Sequence, residues 1–163
     1  MNIHLIKNIL KEEERKKLIK DCKPLLLDLG PDFPGKQSQP LRPKLSFWQP
    51  ELQFERIHKI FLSHAENVIK ESLEWDISWF FFTKGKIKNN HWHNHPVDYA
   101  GVYYMKTFPF FSNGTLFKDR FIKAPQNSLL IFPGHLYHTA PSSPLPFDRY
   151  TMSLNWNIKP PPQ

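Results

Sequence analysis

Apolar residues keep helical spacing only in the first half of this chain, and strand-like alternation takes over in the second. Residues 11–22 read as a helix, with Leu18, Ile19 and Cys22 on one face and Pro24 ending it soon after. Residues 51–73 read as another, with Phe54, Ile57, Phe61, Ala65 and Val68 recurring between charged positions. The stretch 29–50 between them is punctuated by Gly30, Pro31, Pro34, Gly35, Pro40, Pro43 and Pro50 and reads as an extended loop. Short aromatic or β-branched segments then follow at 77–83, 89–95, 100–106, 115–118, 128–132 and 150–158, separated by turn residues. Helices first and strands afterwards imply an α+β domain. The strand count fits a double-stranded β-helix, or jelly roll, with the N-terminal helices packed on the sheet. The expected division is helical and loop support over 1–75, the β-helix core over 76–158 and a loose proline tail over 159–163.

Composition narrows the functional classes. A length of 163 residues suits one domain with a sizeable core, and an aromatic content of 15% argues against disorder. The single cysteine, Cys22, excludes an intramolecular disulfide and any zinc site built on two or more cysteines. No apolar run approaches the ~20 residues of a membrane span, and residues 1–7 lack the apolar stretch of a signal peptide. A cytoplasmic protein with no membrane partner is therefore expected. The net charge of +7 would attract anions, nucleic acid among them. The densest basic stretch, 11–23, nonetheless alternates with Glu12, Glu13, Glu14 and Asp21, as a solvated helix face does, and no nucleic-acid motif accompanies it.

The histidines carry the chemistry. His91, His93 and His95 alternate, so in an extended strand all three imidazoles face one way while Trp92 and Asn94 face the other. Imidazole suits iron, zinc, copper or nickel. Two histidines at i,i+2 grip one ion from a single strand, and a third ligand must come from elsewhere. The source expected here is the segment 132–138, where a strand ends at Phe132, turns at Pro133-Gly134 and returns through His138. His138 is preferred to His135 because the turn leaves it on the returning strand. A histidine-rich tract on a loop that binds metal only adventitiously is the plainer alternative.

The last segment alternates cleanly. Arg149, Thr151, Ser153, Asn155 and Asn157 share one face, and Tyr150, Met152, Leu154, Trp156 and Ile158 share the other. The apolar face calls for a core partner, with the N-terminal helices at hand. The polar face meets either solvent or a polar cavity. An arginine with a hydroxyl two residues on is well suited to hold a carboxylate, through the planar guanidinium fork and the Thr151 donor.

Over residues 77–157 these motifs resemble the Fe(II)- and 2-oxoglutarate-dependent oxygenases, and more closely their small members from marine bacteria and phages. The matching pieces are Trp79, Gly85, His93-Asn94-His95-Pro96, Ala100-Gly101-Val102-Tyr103-Tyr104, the run from Leu130 to His138, and Arg149-Tyr150-Thr151-Met152-Ser153-Leu154-Asn155. The resemblance implies iron(II) as cofactor and 2-oxoglutarate as a small-molecule cosubstrate, with hydroxylation of a substrate and release of succinate and carbon dioxide. It implies His93 and His138 as metal ligands, with His95 or His91 as the third, and Arg149 with Thr151 holding the cosubstrate carboxylate. Tyr103 or Tyr104 could reach the cosubstrate. Two registers are open: identity around Pro96 favours His93 with His95, whereas the distance from Gly85 favours His91 with His93. The second register also resembles the cupin motif, with Asp98 as an acidic ligand.

Two rivals belong to other classes. One is a cupin-type metalloenzyme that does not use 2-oxoglutarate, needing Asp98 and not Arg149. The other is a non-enzymatic jelly-roll module that binds sugar or nucleic acid through its positive charge. The loop 29–50 and the stretches 108–113 and 141–146 would shape the entrance for a protein, nucleotide or small-molecule substrate.

Overall fold

In chain order the elements are β1 (His4–Lys7), α1 (Glu12–Cys22), a 3-10 turn (Lys23–Leu25), β2 (Leu26–Asp28), β3 (Gly35–Ser38), α2 (Phe54–Ile69), β4 (Leu73–Lys84), β5 (Tyr99–Lys106), β6 (Gly114–Phe117), β7 (Phe121–Lys123), β8 (Ser128–Pro133), β9 (His138–Thr139) and β10 (Asp148–Ile158). They come from a computed structural model that describes residues 2–31, 35–43, 54–84, 91–108, 113–141 and 147–163. The turn expected at Gly85, residues 89 and 90, the far part of the 29–50 loop and most of the stretches 108–113 and 141–146 lie outside the described residues.

Antiparallel pairing builds two sheets. The larger has the order β1-β8-β5-β10-β4-β3-β2 and the smaller the order β7-β6-β9. Together they form the double-stranded β-helix, with the helices on the outer face of the larger sheet.

Strand parity distributes the side chains. Tyr103 and Met105 of β5, Leu129 and Ile131 of β8, and Tyr150, Met152, Leu154 and Trp156 of β10 pack against Leu18, Phe54, Ile57, Phe61 and Ala65 of the helices. Their alternate neighbours Ala100, Tyr104, Leu130 and Phe132 form a second cluster with Phe117 of the smaller sheet. The apolar face of β10 therefore finds its partner in the helices. Gly101 sits where a Cβ would come within 2.6 Å of the Trp156 ring, so the glycine lets that large side chain lie flat on β5.

α1 follows its charge pattern in part. Glu12, Glu13 and Glu14 occupy the first turn, where the helix dipole favours them, and Lys17 pairs with Asp21 at i,i+4. Arg15 departs from the solvated face: it is 5% exposed and donates from Nη1 to the Met105 carbonyl at 2.7 Å, tying the helix to β5.

The structure corrects the expected division. The first 75 residues are more than helix and loop, because β1 pairs with β8 and β3 with β2 and β4 within the main sheet. The strand expected over 89–95 is also absent from the described residues 91–95, which carry a single bridge, His93 opposite His138. Helix α2 ends at Ile69, and β4 begins at Leu73, four residues ahead of its expected start. Among the described residues no helix is long and apolar enough to cross a membrane.

Candidate metal centre

A cavity of about 390 Å³ opens between the sheets. Its floor is laid in cross-strand rows over β4, β10 and β5. Thr83 stands beside Arg149, Phe81 beside Thr151, and Trp79 beside Ser153, with Val102 across from Ser153 on β5. Arg149, Thr151 and Ser153, on the polar face of β10, thus line the cavity.

His93, His95 and His138 close the rim of the same cavity. One ring nitrogen from each lies within 4.8 Å of the others. Backbone pairing brings them there. His93 N–H donates to the His138 carbonyl at 3.1 Å, His138 N–H returns the bond at 2.9 Å, and His95 N–H donates to the Gly134 carbonyl at 2.8 Å. Gly134 is required at that point, since a Cβ would lie 2.1 Å from the Val97 carbonyl oxygen. The turn expected at Pro133-Gly134 therefore also clamps residues 93–98 in place. The ring of His138 rests edge-on against Phe132, with centroids 4.7 Å apart.

Burial sets the protonation of these rings. It pushes His138 down to about 4, even though the Leu136 carbonyl favours the charged form. His95 is pushed down to about 4 by burial first and by the neighbouring imidazoles second. Burial lowers His93 as well. All three are neutral near pH 7, with lone pairs available to a cation.

The other candidates separate from this group. His91 is exposed and stacks on His93 with centroids 5.6 Å apart, outside the set of three. Asp98 is exposed, and its Oδ2 accepts the Ile158 N–H at 2.8 Å, so the cupin-like register loses its carboxylate. His135 is exposed and also stands apart. The two tyrosines divide by parity. Tyr103 donates to Asn127 and packs on Phe61 under the helices, whereas Tyr104 lies on the cavity side, bonded to Thr115, which lines the cavity.

Arg149 is the polar anchor of the cavity. Its Nε is enclosed and has no hydrogen-bond partner among the described residues. Its guanidinium carbon lies 5.7 Å from the centre of the Tyr104 ring, and burial lowers its pKa. No carboxylate among the described residues pairs with it. A guanidinium nitrogen left without a partner can donate to an anion. Gln37, Trp79 and Phe81 also line the cavity, and of these only Trp79 belongs to a motif legible in the sequence. Alternation along β4 could have marked Phe81 as a partner of Trp79. Gln37 sits in a short polar strand that carries no such signal.

No protein-family model matches this chain, and no curated protein matches its sequence. Solved structures do match. HygX from Streptomyces hygroscopicus, with nickel and 2-oxoglutarate bound, aligns with a TM-score of 0.70 at 9% identity, covering 96% of this chain and 82% of that one. A Pseudomonas putida prolyl-4-hydroxylase aligns with a TM-score of 0.65 at 12% identity, covering 97% and 93%. SnoN, a non-heme alpha-ketoglutarate-dependent epimerase from nogalamycin biosynthesis, aligns with a TM-score of 0.72 at 8% identity, covering 96% and 76%. The chain has the fold shared by these proteins, in agreement with the resemblance carried by its motifs.

Proposed function

We propose that this chain is an Fe(II)- and 2-oxoglutarate-dependent oxygenase that hydroxylates its substrate with release of succinate and carbon dioxide. One observation carries the reading: a single cavity holds three imidazoles at its rim and an arginine with an enclosed, unsatisfied Nε in its floor. The donor set fits the metal. Three nitrogen donors of intermediate softness suit iron(II), and three protein ligands leave coordination positions for a keto acid and dioxygen. The third ligand is an imidazole, His95, at the place where these oxygenases commonly carry a carboxylate, so the protein adds no negative charge to the centre.

Bound iron(II) would supply the activation of dioxygen that couples oxidative decarboxylation of 2-oxoglutarate to insertion of oxygen into a C–H bond. The chain's own residues bind, orient and exclude water. His93, His95 and His138 hold the ion. Arg149 receives the distal carboxylate of the cosubstrate, and Thr151, two residues along the same strand face, adds a hydroxyl donor. Tyr104 backs the guanidinium with its ring and is itself held by Thr115. Trp79, Phe81 and Val102 give the cavity apolar walls that limit water near the reacting atoms.

Anaerobic titration with Fe(II) and then 2-oxoglutarate tests the proposal. The expected result is a weak visible charge-transfer band that appears only when both are present, followed by succinate formation on admitting air. Tight iron binding with neither the band nor succinate would turn the assignment toward a metalloenzyme that does not use 2-oxoglutarate.

A further inference from the structure

The floor of the cavity continues past its edge. Register carries one row from β10 across three more strands. Phe81 of β4 stands beside Thr151, Gln37 of β3 beside Phe81, and Leu27 of β2 beside Gln37. Residues paired across an antiparallel sheet share a face, and Thr151, Phe81 and Gln37 all line the cavity. Their chain neighbours take the other face. Ser38 is buried and its Oγ accepts the Phe80 N–H at 2.9 Å, and Phe80 packs into the core under the helices.

The two ends of β10 are already spoken for. Arg149 stands near one end, and at the other Asn157 and Ile158 hold Asp98, in the loop that carries His95. A cosubstrate spanning Arg149 and the metal centre runs along β10. Strands lie ~4.8 Å apart, so Gln37 is roughly 10 Å and Leu27 roughly 14 Å to the side of it. These residues meet whatever binds beside the cosubstrate.

The chemistry of this flank is uncharged. Among the described lining residues only Arg149 and the histidines are ionisable in the range of interest. Lys36, next to Gln37, pairs with Asp28 at 3.8 Å. Trp79 and Phe81, at i,i+2 on β4, supply an apolar wall. No hydrogen bond engages the Gln37 amide among the described residues. It offers a donor and an acceptor side by side, which another amide matches with both of its own groups. Beyond it Leu27 is 47% exposed, and Leu29, two residues on, is 49% exposed. Exposed apolar side chains that prolong a cavity mark a binding surface.

We propose that the primary substrate is an uncharged, elongated molecule lying across β4, β3 and β2. Its carboxamide-type group meets Gln37, and its apolar end rests on Leu27. This rests on the reading of Arg149 as the cosubstrate anchor.

The test uses protein loaded with Ni(II) and 2-oxoglutarate, so that Arg149 is engaged, with binding read by ligand-observed NMR. The probes are para-butylbenzamide, para-butylbenzoate, para-butylbenzylamine and benzamide. Wild type should bind para-butylbenzamide about tenfold more tightly than the anion or the cation. It should also bind it about tenfold more tightly than benzamide, which lacks the tail. Leu27→Asp should abolish the gain from the tail and leave benzamide binding unchanged. Gln37→Glu should move the preference to para-butylbenzylamine. Equal affinity for the three head groups, a tail gain that survives Leu27→Asp, or no binding by any probe overturns the proposal. Should Gln37→Glu fail to fold, the wild-type head-group series and Leu27→Asp, at an exposed position, decide the matter. A protein that takes up no 2-oxoglutarate defeats the oxygenase reading, while the response of the tail gain to Leu27→Asp still decides the role of the β2 flank.

Discussion

Histidines are buried on both faces of the main sheet, and the two faces treat them in opposite ways. His58, under the helices, is 3% exposed with both ring nitrogens engaged, Nδ1 with the Phe54 carbonyl at 2.6 Å and Nε2 with Ser78 Oγ at 2.7 Å. Its ring stacks on Trp75 with centroids 3.7 Å apart. His138, on the cavity face, is also 3% exposed, yet among the described residues only its Nδ1 is engaged, with the Leu136 carbonyl, and its other nitrogen turns toward His93 and His95. Burial lowers the pKa of both residues. A depressed histidine pKa therefore does not mark function here. What distinguishes the site is the nitrogen left over once the chain's own acceptors and donors are used.

Replacing one histidine from each face should break or sharpen this contrast. The largest effect is expected for His138→Ala: Fe(II) or Ni(II) affinity, read by calorimetry, should fall by more than the roughly 100-fold typical of losing an outer hydrogen-bond partner. The melting temperature of the metal-free protein should change little. Unfolding of that variant would place His138 with His58 as a structural residue. Arg149→Lys comes next. It keeps the charge and loses the fork, so the apparent KM for 2-oxoglutarate should rise roughly 10- to 100-fold, given ~1.5–3 kcal/mol for hydrogen bonds to charged groups, with metal affinity unchanged. An unchanged KM would remove Arg149 from the cosubstrate site.

His58→Ala should do the reverse of His138→Ala. It leaves Ser78 without its partner and a void beside Trp75. Denaturant titration should show a loss of about 2 kcal/mol, and metal affinity should be untouched. A drop in metal affinity would mean that the two faces are coupled through β4.

The effect that is smallest near neutral pH grows in acid. His58 is pushed from 6.5 down to about 3 by burial. The unfolded chain therefore binds a proton that the folded chain refuses as pH falls from about 6.5 to 3. Stability is complete above this window and declines through it, with each such group contributing at most about 1.4 kcal/mol per pH unit. His95 and His138 add to the same slope in the metal-free protein. Stability curves of metal-free His58→Ala should be shallower over that range than those of wild type. Parallel curves would show that His58 is protonated inside the fold.

Much of this molecule could be read before any coordinates. Local spacing suffices for α1, α2, β5, β8 and β10, because a helix or half-buried strand writes its period into its own residues. The alternation of 149–158 separated the helix-facing residues from the arginine face, and the two histidine-bearing stretches were recognisable as a pair. Short polar strands were not legible. Gly35–Ser38 has no apolar period and is a strand only because it pairs with β2 and β4.

His91, His93 and His95 all line the cavity, as their alternation predicts, although the segment is held by one bridge and by Gly134 and not by a continuous strand. Which rings converge was decided by contacts some forty residues away in the chain, as were the choice between Tyr103 and Tyr104 and the isolation of the Arg149 Nε. Composition and period govern which residue types share an element, since those forces act between near neighbours. Convergence on a point depends on pairing between distant segments, and no local pattern encodes that.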